Sequence, residues 1–203
     1  MDGLTITFRP SPKLSQLVAA LGPEGRKTLN AGAAANLFAV VRDHIRRDAA
    51  RRHATARKLG AAPTGHLEKA AGSVQKASDE TGATVSVSSP GFGRVFRALH
   101  VRPVRARSLT IPVHALGYGR RASEVAAAHP LFRPKGKDYL MADIDGEATV
   151  IYLLRRAVTV PQDRTLLPSD ADLDRAAKQG YKEAIRLSLE AAAAAPEPER
   201  RIP

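Results

Sequence analysis

Between positions 28 and 59 apolar residues recur with the period of a helix. Ala34, Leu37, Phe38, Val41 and Ile45 share one face, and Arg42, Arg46, Arg47 and Arg51 occupy the remainder. Gly60 and Pro63 stop the pattern. A second helix is predicted over 65–76, capped by Thr64, with the smaller stripe Leu67, Ala70, Ala71 and Val74. The turn SDETG follows at 78–82, and Val85 and Val87 then alternate within a half-buried strand over 84–88. Further strands are predicted over 101–104 and 108–113, around the basic bend Arg105-Ala106-Arg107. Pro112 lacks a backbone N–H, which assigns its strand to a sheet edge.

The strongest local signal is a hairpin. One strand covers 139–144, Asp145-Gly146 makes a type I′ turn, and the return strand covers 148–154. An extended piece at 158–160 precedes Ser169 and Asp172, which come close to a capping box. They open a last helix to about residue 195, with Leu173, Ala177, Tyr181, Ala184, Ile185 and Ser188 on one face. At the other end, Leu4, Ile6 and Phe8 alternate as a short strand or extended arm, and 14–21 could form a short helix before Gly22-Pro23. Residues 114–137 have no period and five Gly or Pro, so they read as a long loop with one helical turn near 123–128. The predicted organisation is an N-terminal arm over 1–27, a single α+β domain over 28–195 and a disordered polar tail over 196–203. That domain has a long N-terminal helix, a short second helix, a small antiparallel β-sheet and a C-terminal helix.

Charge adds a direction to this picture. The net charge is +12, and residues 89–121 carry seven arginines and no acid, whereas 122–203 are close to neutral. The seven are Arg94, Arg97, Arg102, Arg105, Arg107, Arg120 and Arg121. Such a basic front suits a polyanion or an acidic protein surface, although alanine- and arginine-rich chains are often basic in any case. The charged face of the first helix is most simply a solvated one. His114, Tyr118 and Phe132, in the long loop, are candidate subunit-interface residues.

Chemistry for catalysis is sparse. With no cysteine there is no disulfide framework, thiolate nucleophile or Cys-ligated metal. The six histidines do not fall in metal-ligand spacing, and no carboxylate cluster has it either. His100 and His114 could meet across a sheet and, with Arg102 or Arg107, support phosphodiester chemistry; packing or surface roles are the commoner fate of such histidines. No serine sits in a nucleophile elbow. Gly-Phe-Gly at 91–93 and Gly-Tyr-Gly at 117–119 read as turn glycines rather than phosphate cradles. The expectation is a chain that is not an enzyme and needs no cofactor or metal. No secretory signal and no apolar run of about eighteen residues is visible, which predicts a soluble intracellular product without membrane contact. A stripe of arginines could instead grip nucleic acid through its phosphates, without reading sequence, since helix-turn-helix, zinc-finger and aromatic stacking devices are missing.

The ordered series PTGHLEKAAGSV (63–74), ALHVRPVRARSLTIPVHALGYGRRASE (98–124) and RRAVTVPQDRTLLPSD (155–170) resembles the virion morphogenesis family of Mu-like tailed phages. The matching positions are Thr64, Gly65 and Leu67, then Leu109, Ile111 and Pro112, then Val158, Pro161, Arg164 and Leu167. The likeness spans roughly 28–190 and lies in the order and spacing of motifs that are individually weak. It implies a structural tail-completion or neck protein, at the head–tail joint or tail end. Its partners would be copies of itself in a sixfold or twelvefold ring, adjoining neck, connector or tail proteins, and double-stranded DNA in the channel. It would be found in the virion, and in the host cytoplasm during assembly. The alternative is a non-specific nucleic-acid-binding protein.

Overall fold

The computed structural model describes residues 4–8, 22–52 and 54–194, so the helix expected over 14–21 and the tail 196–203 lie outside the described residues. The α+β class is as expected. The region read as a single domain is divided into two compact units.

The first unit comprises Met1–Ile45, Ala70–Phe92 and Leu167–Pro203. Its first helix, α1 (Pro23–Arg51), buries Leu29, Ala33, Leu37, Val41, Ile45 and Ala49, an unbroken row at i, i+4 spacing. The predicted stripe therefore lies inward, except Phe38, which is half-buried under the Arg42 guanidinium, 5.0 Å from its ring centroid. A three-stranded antiparallel sheet has the order β1-β3-β2, with β1 Leu4–Phe8, β2 Val74–Ser78 and β3 Ala83–Val87. Val87 stands between Leu4 and Val74, and all three are buried.

Strand β2 corrects the helix read over 65–76. That helix, α3 (His66–Gly72), follows a five-residue α2 (Ala54–Lys58) and stops at Gly72. Beyond it the chain pairs with β3 instead. The Asp79 carboxylate accepts the N–H groups of Thr81 (2.7 Å) and Gly82 (3.1 Å), closing a tight turn that brings the strands together. Val74 keeps its predicted burial, but through a ladder rather than a helix face.

The last helix, α5 (Asp170–Ala194), begins as its sequence suggests: the Ser169 hydroxyl accepts the Asp172 N–H (3.2 Å) and donates to the Asp172 carboxylate (2.7 Å). It meets α1 backbone to backbone at Gly32 and Gly180. A Cβ on Gly180 would lie 2.6 Å from the Gly32 carbonyl carbon and 2.7 Å from the Ala33 Cα. Beside this crossing Tyr181 Oη donates to Asn30 Oδ1 (3.0 Å), and Asn30 Nδ2 donates to the Asp79 carbonyl (2.7 Å). The one buried polar side chain of the described core thus joins both helices to the β2–β3 turn.

The second unit comprises Arg46–Lys69 and Gly93–Leu166. Here a two-stranded ribbon pairs β4 (Leu99–Val101) with β8 (Val158–Val160), and a three-stranded antiparallel sheet has the order β5-β7-β6. Those strands are β5 Leu109–Pro112, β7 Glu147–Arg155 and β6 Tyr139–Ile144. Pro112 lies on the edge strand, as its missing N–H requires, and the hairpin turns at Asp145 (φ 52°) and Gly146 (φ 85°) in the predicted left-handed geometry. The strand expected over 101–104 is displaced: Val101 ends it, and Pro103, which has no N–H to donate, precedes a bend over 104–108. A register shift between Leu140 and Met141 leaves Ile151 without a partner on β6. This bulge lets consecutive Ile151 and Tyr152 both be fully buried, where they join Val125 of α4 (Ala122–Ala126) and Ala142.

Candidate functional site

The basic segment starts at a clamp. Arg94 sits in a 3-10 turn, Phe92–Val95, and its guanidinium lies 3.4 Å from Asp163. Asp163 also receives Arg52, whose Nε holds Asp48 at 2.8 Å. This tertiary attraction coincides with the end of α1, in a stretch where the sequence has no Gly or Pro to break the predicted long helix. Two ties to main-chain carbonyls complete the clamp: the Asp163 N–H donates to the Arg94 carbonyl (2.9 Å), and the Gln162 side-chain Nε2 donates to the Val95 carbonyl (3.1 Å). Burial disfavours charge on Asp163, but the Thr165 hydroxyl and Arg52 outweigh it and hold the carboxyl below its ordinary range. A folded value below the unfolded one contributes stability above about pH 4 that is lost as pH falls through the folded value. Acid titration of thermal stability should therefore show a loss below about pH 4 that is smaller in Asp163→Asn.

Arg94 is accordingly an anchoring residue, half-buried and ion-paired. Past the clamp the surface changes. Arg97, Arg102, Arg105 and Arg107 are exposed, and none has a carboxylate partner among the described residues. Apolar side chains are interleaved with them: Phe96 is 58% exposed, Val101 40% and Val104 97%. The arginines are evident in the sequence, whereas this apolar component is not. Its only signal was Val104 flanked by Pro103 and Arg105, with no alternation to bury it.

The loop at 114–121 is held from inside. His114 Nδ1 accepts the Leu116 N–H (3.3 Å) and caps a 3-10 turn, Ala115–Gly117. Gly117 lies against the Tyr152 ring so closely that a Cβ would stand 2.9 Å from it. Tyr152 Oη donates to the Arg120 carbonyl (3.1 Å). Gly119 has φ 73°, the conformation that a turn glycine supplies. The side chains of Arg120 and Arg121 are exposed, but the Arg121 N–H donates to Glu124 (3.1 Å), so an acid stands beside them.

Of the three expected interface residues, Phe132 is exposed (47%) and forms a bridge with Met141 through two 2.9 Å main-chain hydrogen bonds. His114 and Tyr118 are half-buried, the former occupied as a cap. His100 and His114 do not face each other across a ladder. His100 stands in the β4–β8 ribbon, 3.0 Å from Thr159 Oγ1, while His114 follows β5, which pairs with β7. Among the described residues no group of three or more His, Cys, Asp or Glu could hold a metal ion, and no helix is long and apolar enough to cross a membrane. Comparison with protein-family models, curated proteins and solved structures gives no match in any of the three.

Proposed function

We propose that this chain is a structural virion protein of a tailed phage, a tail-completion or neck subunit that assembles as an oligomeric ring around the DNA channel. The observation that carries this reading is the segment 96–107, in which unneutralised arginines alternate with exposed Phe96, Val101 and Val104. A surface mixing apolar and cationic side chains is suited to a protein neighbour that covers both. The order of motifs agrees with it. Thr64-Gly65 opens a helix whose Leu67 is buried, Leu109-Thr110-Ile111-Pro112 is an edge strand, and Val158 leads through Pro161 to the last helix.

Light scattering of nucleic-acid-free protein tests the reading: the expected mass is a multiple of 21.7 kDa, and a monomer at every salt concentration would sink it. Changing Arg105, Arg107, Arg120 and Arg121 together to Ser should alter stability by no more than about 0.5 kcal/mol per site. Assembly or phage titre in complementation should fall. The second reading, non-specific nucleic-acid binding, rests on the same arginines. It predicts a monomer whose DNA affinity drops with salt, with a slope reduced by about 0.9 for each phosphate-contacting arginine removed.

A further inference from the structure

The sheet β5-β7-β6 carries opposite charge at its two ends. Leu109, where β5 begins, lies opposite Arg155, where β7 ends; Glu147, where β7 begins, lies opposite Ile144 beside the hairpin turn. The bend at 102–108 therefore enters the sheet next to Arg155 and Arg156. Arg102, Arg105, Arg107, Arg155 and Arg156 are all exposed at that end. At the other end Asp143, Asp145 and Glu147 are exposed, and the chain has no basic residue from 139 to 154. None of these eight side chains forms an ion pair among the described residues.

The length of β7 keeps the two ends apart. From Glu147 to Arg155 it spans about 25 Å at ~3.3 Å per residue, well beyond the ~8 Å over which exposed charges act at physiological salt. Within one copy the acidic turn cannot neutralise the arginine bend. The bend also presents Val104, 97% exposed with arginines near it on both sides.

We infer that copies of this protein associate head to tail, the acidic turn of one seated on the arginine bend of the next with Val104 at the centre of the contact. This rests on the oligomeric reading above and names the surfaces that would produce it. Two different patches of one chain make a heterologous contact, the kind that closes into a ring when the rotation between copies permits. A second copy fits better than a nucleic acid for two reasons. A phosphate backbone offers nothing to Val104 or Phe96, and it would leave the three carboxylates of the turn without a counterpart.

Charge exchange tests the contact. One variant carries Asp143→Asn, Asp145→Asn and Glu147→Arg, which preserves the turn because Asn can accept the Gly146 N–H that Asp143 now accepts at 2.8 Å. A second carries Arg102→Glu, Arg105→Glu and Arg107→Glu, and a third combines both sets. In light scattering at low ionic strength the parent should be oligomeric, and each single-ended variant should fall to the 21.7 kDa monomer. The combined variant should regain assembly, as should an equimolar mixture of the two single-ended ones. Circular dichroism checks that each stays folded. If the parent is oligomeric and neither exchange changes its mass, the ring reading survives and this contact is overturned. A combined variant and a mixture that both remain monomeric also overturn it, pointing to a different acidic partner. A parent that is monomeric throughout overturns both.

Discussion

Gly180→Ala should melt well below the parent, and Gly180→Leu should not hold α1 against α5 at all. Two effects of opposite sign decide the first variant. Alanine in a helix interior is favoured over glycine by about 1 kcal/mol, so by propensity alone the change would stabilise. Against this, the new Cβ would meet backbone atoms of Gly32 and Ala33 at 2.6–2.7 Å, and backbone cannot rotate aside as a side-chain tip can. Overpacking of a tight core typically costs about 1–3 kcal/mol, and a contact with main chain belongs at the upper end. The net loss of roughly 1–2 kcal/mol corresponds to a fall in Tm of about 2–8 °C for a chain of this size. Gly72→Ala is the control, since a Cβ there meets nothing within 4 Å and the backbone is not left-handed; it should be neutral or slightly stabilising. Equal melting temperatures for Gly180→Ala and the parent would refute the close crossing.

Tyr152→Ala should be more damaging still. Its ring is fully buried, Gly117 packs against it and its hydroxyl donates to the Arg120 carbonyl. Removing a buried aromatic ring costs about 3–5 kcal/mol, comparable with the whole stability of a small unit. Tyr152→Phe keeps the ring and loses the hydrogen bond, a loss of about 1 kcal/mol. Burial, followed by the nearby Glu124 charge, pushes the phenol pKa up, so the hydroxyl remains a donor through the ordinary pH range. Urea unfolding gives both magnitudes, and limited proteolysis reports the loop: cleavage within 114–121 should accelerate in Tyr152→Ala. A loop as resistant as the parent's would show that Tyr152 does not hold it.

Features fixed by neighbouring residues were legible in the sequence. The type I′ turn at Asp145-Gly146 needs only its own backbone conformations, and the α1 stripe needs only a repeating period. Features fixed at long range were not. The Val74–Ser78 segment continues a helical stripe on paper and becomes a strand because β3 is available beyond the Asp79 turn. Arg94 and Arg97 look alike in the sequence. Asp163, nearly seventy positions away, neutralises the first and leaves the second exposed. The arginines of the candidate surface could be counted in advance, whereas the exposure of Phe96 and Val104 depends on which strands the chain forms around them. The twin glycines of the α1–α5 crossing gave no local hint, because their partner in each case is the other helix.

That crossing also sets a schedule for the newborn chain. Gly32 leaves the ribosome long before Gly180 is made, an interval on the order of ten seconds at typical elongation rates. Throughout it, the surface of α1 that α5 covers in the finished protein has nothing to rest on. Folding of that unit thus waits for α5, and a nascent chain stalled before residue 170 would be a ready client for chaperones or a seed for aggregation.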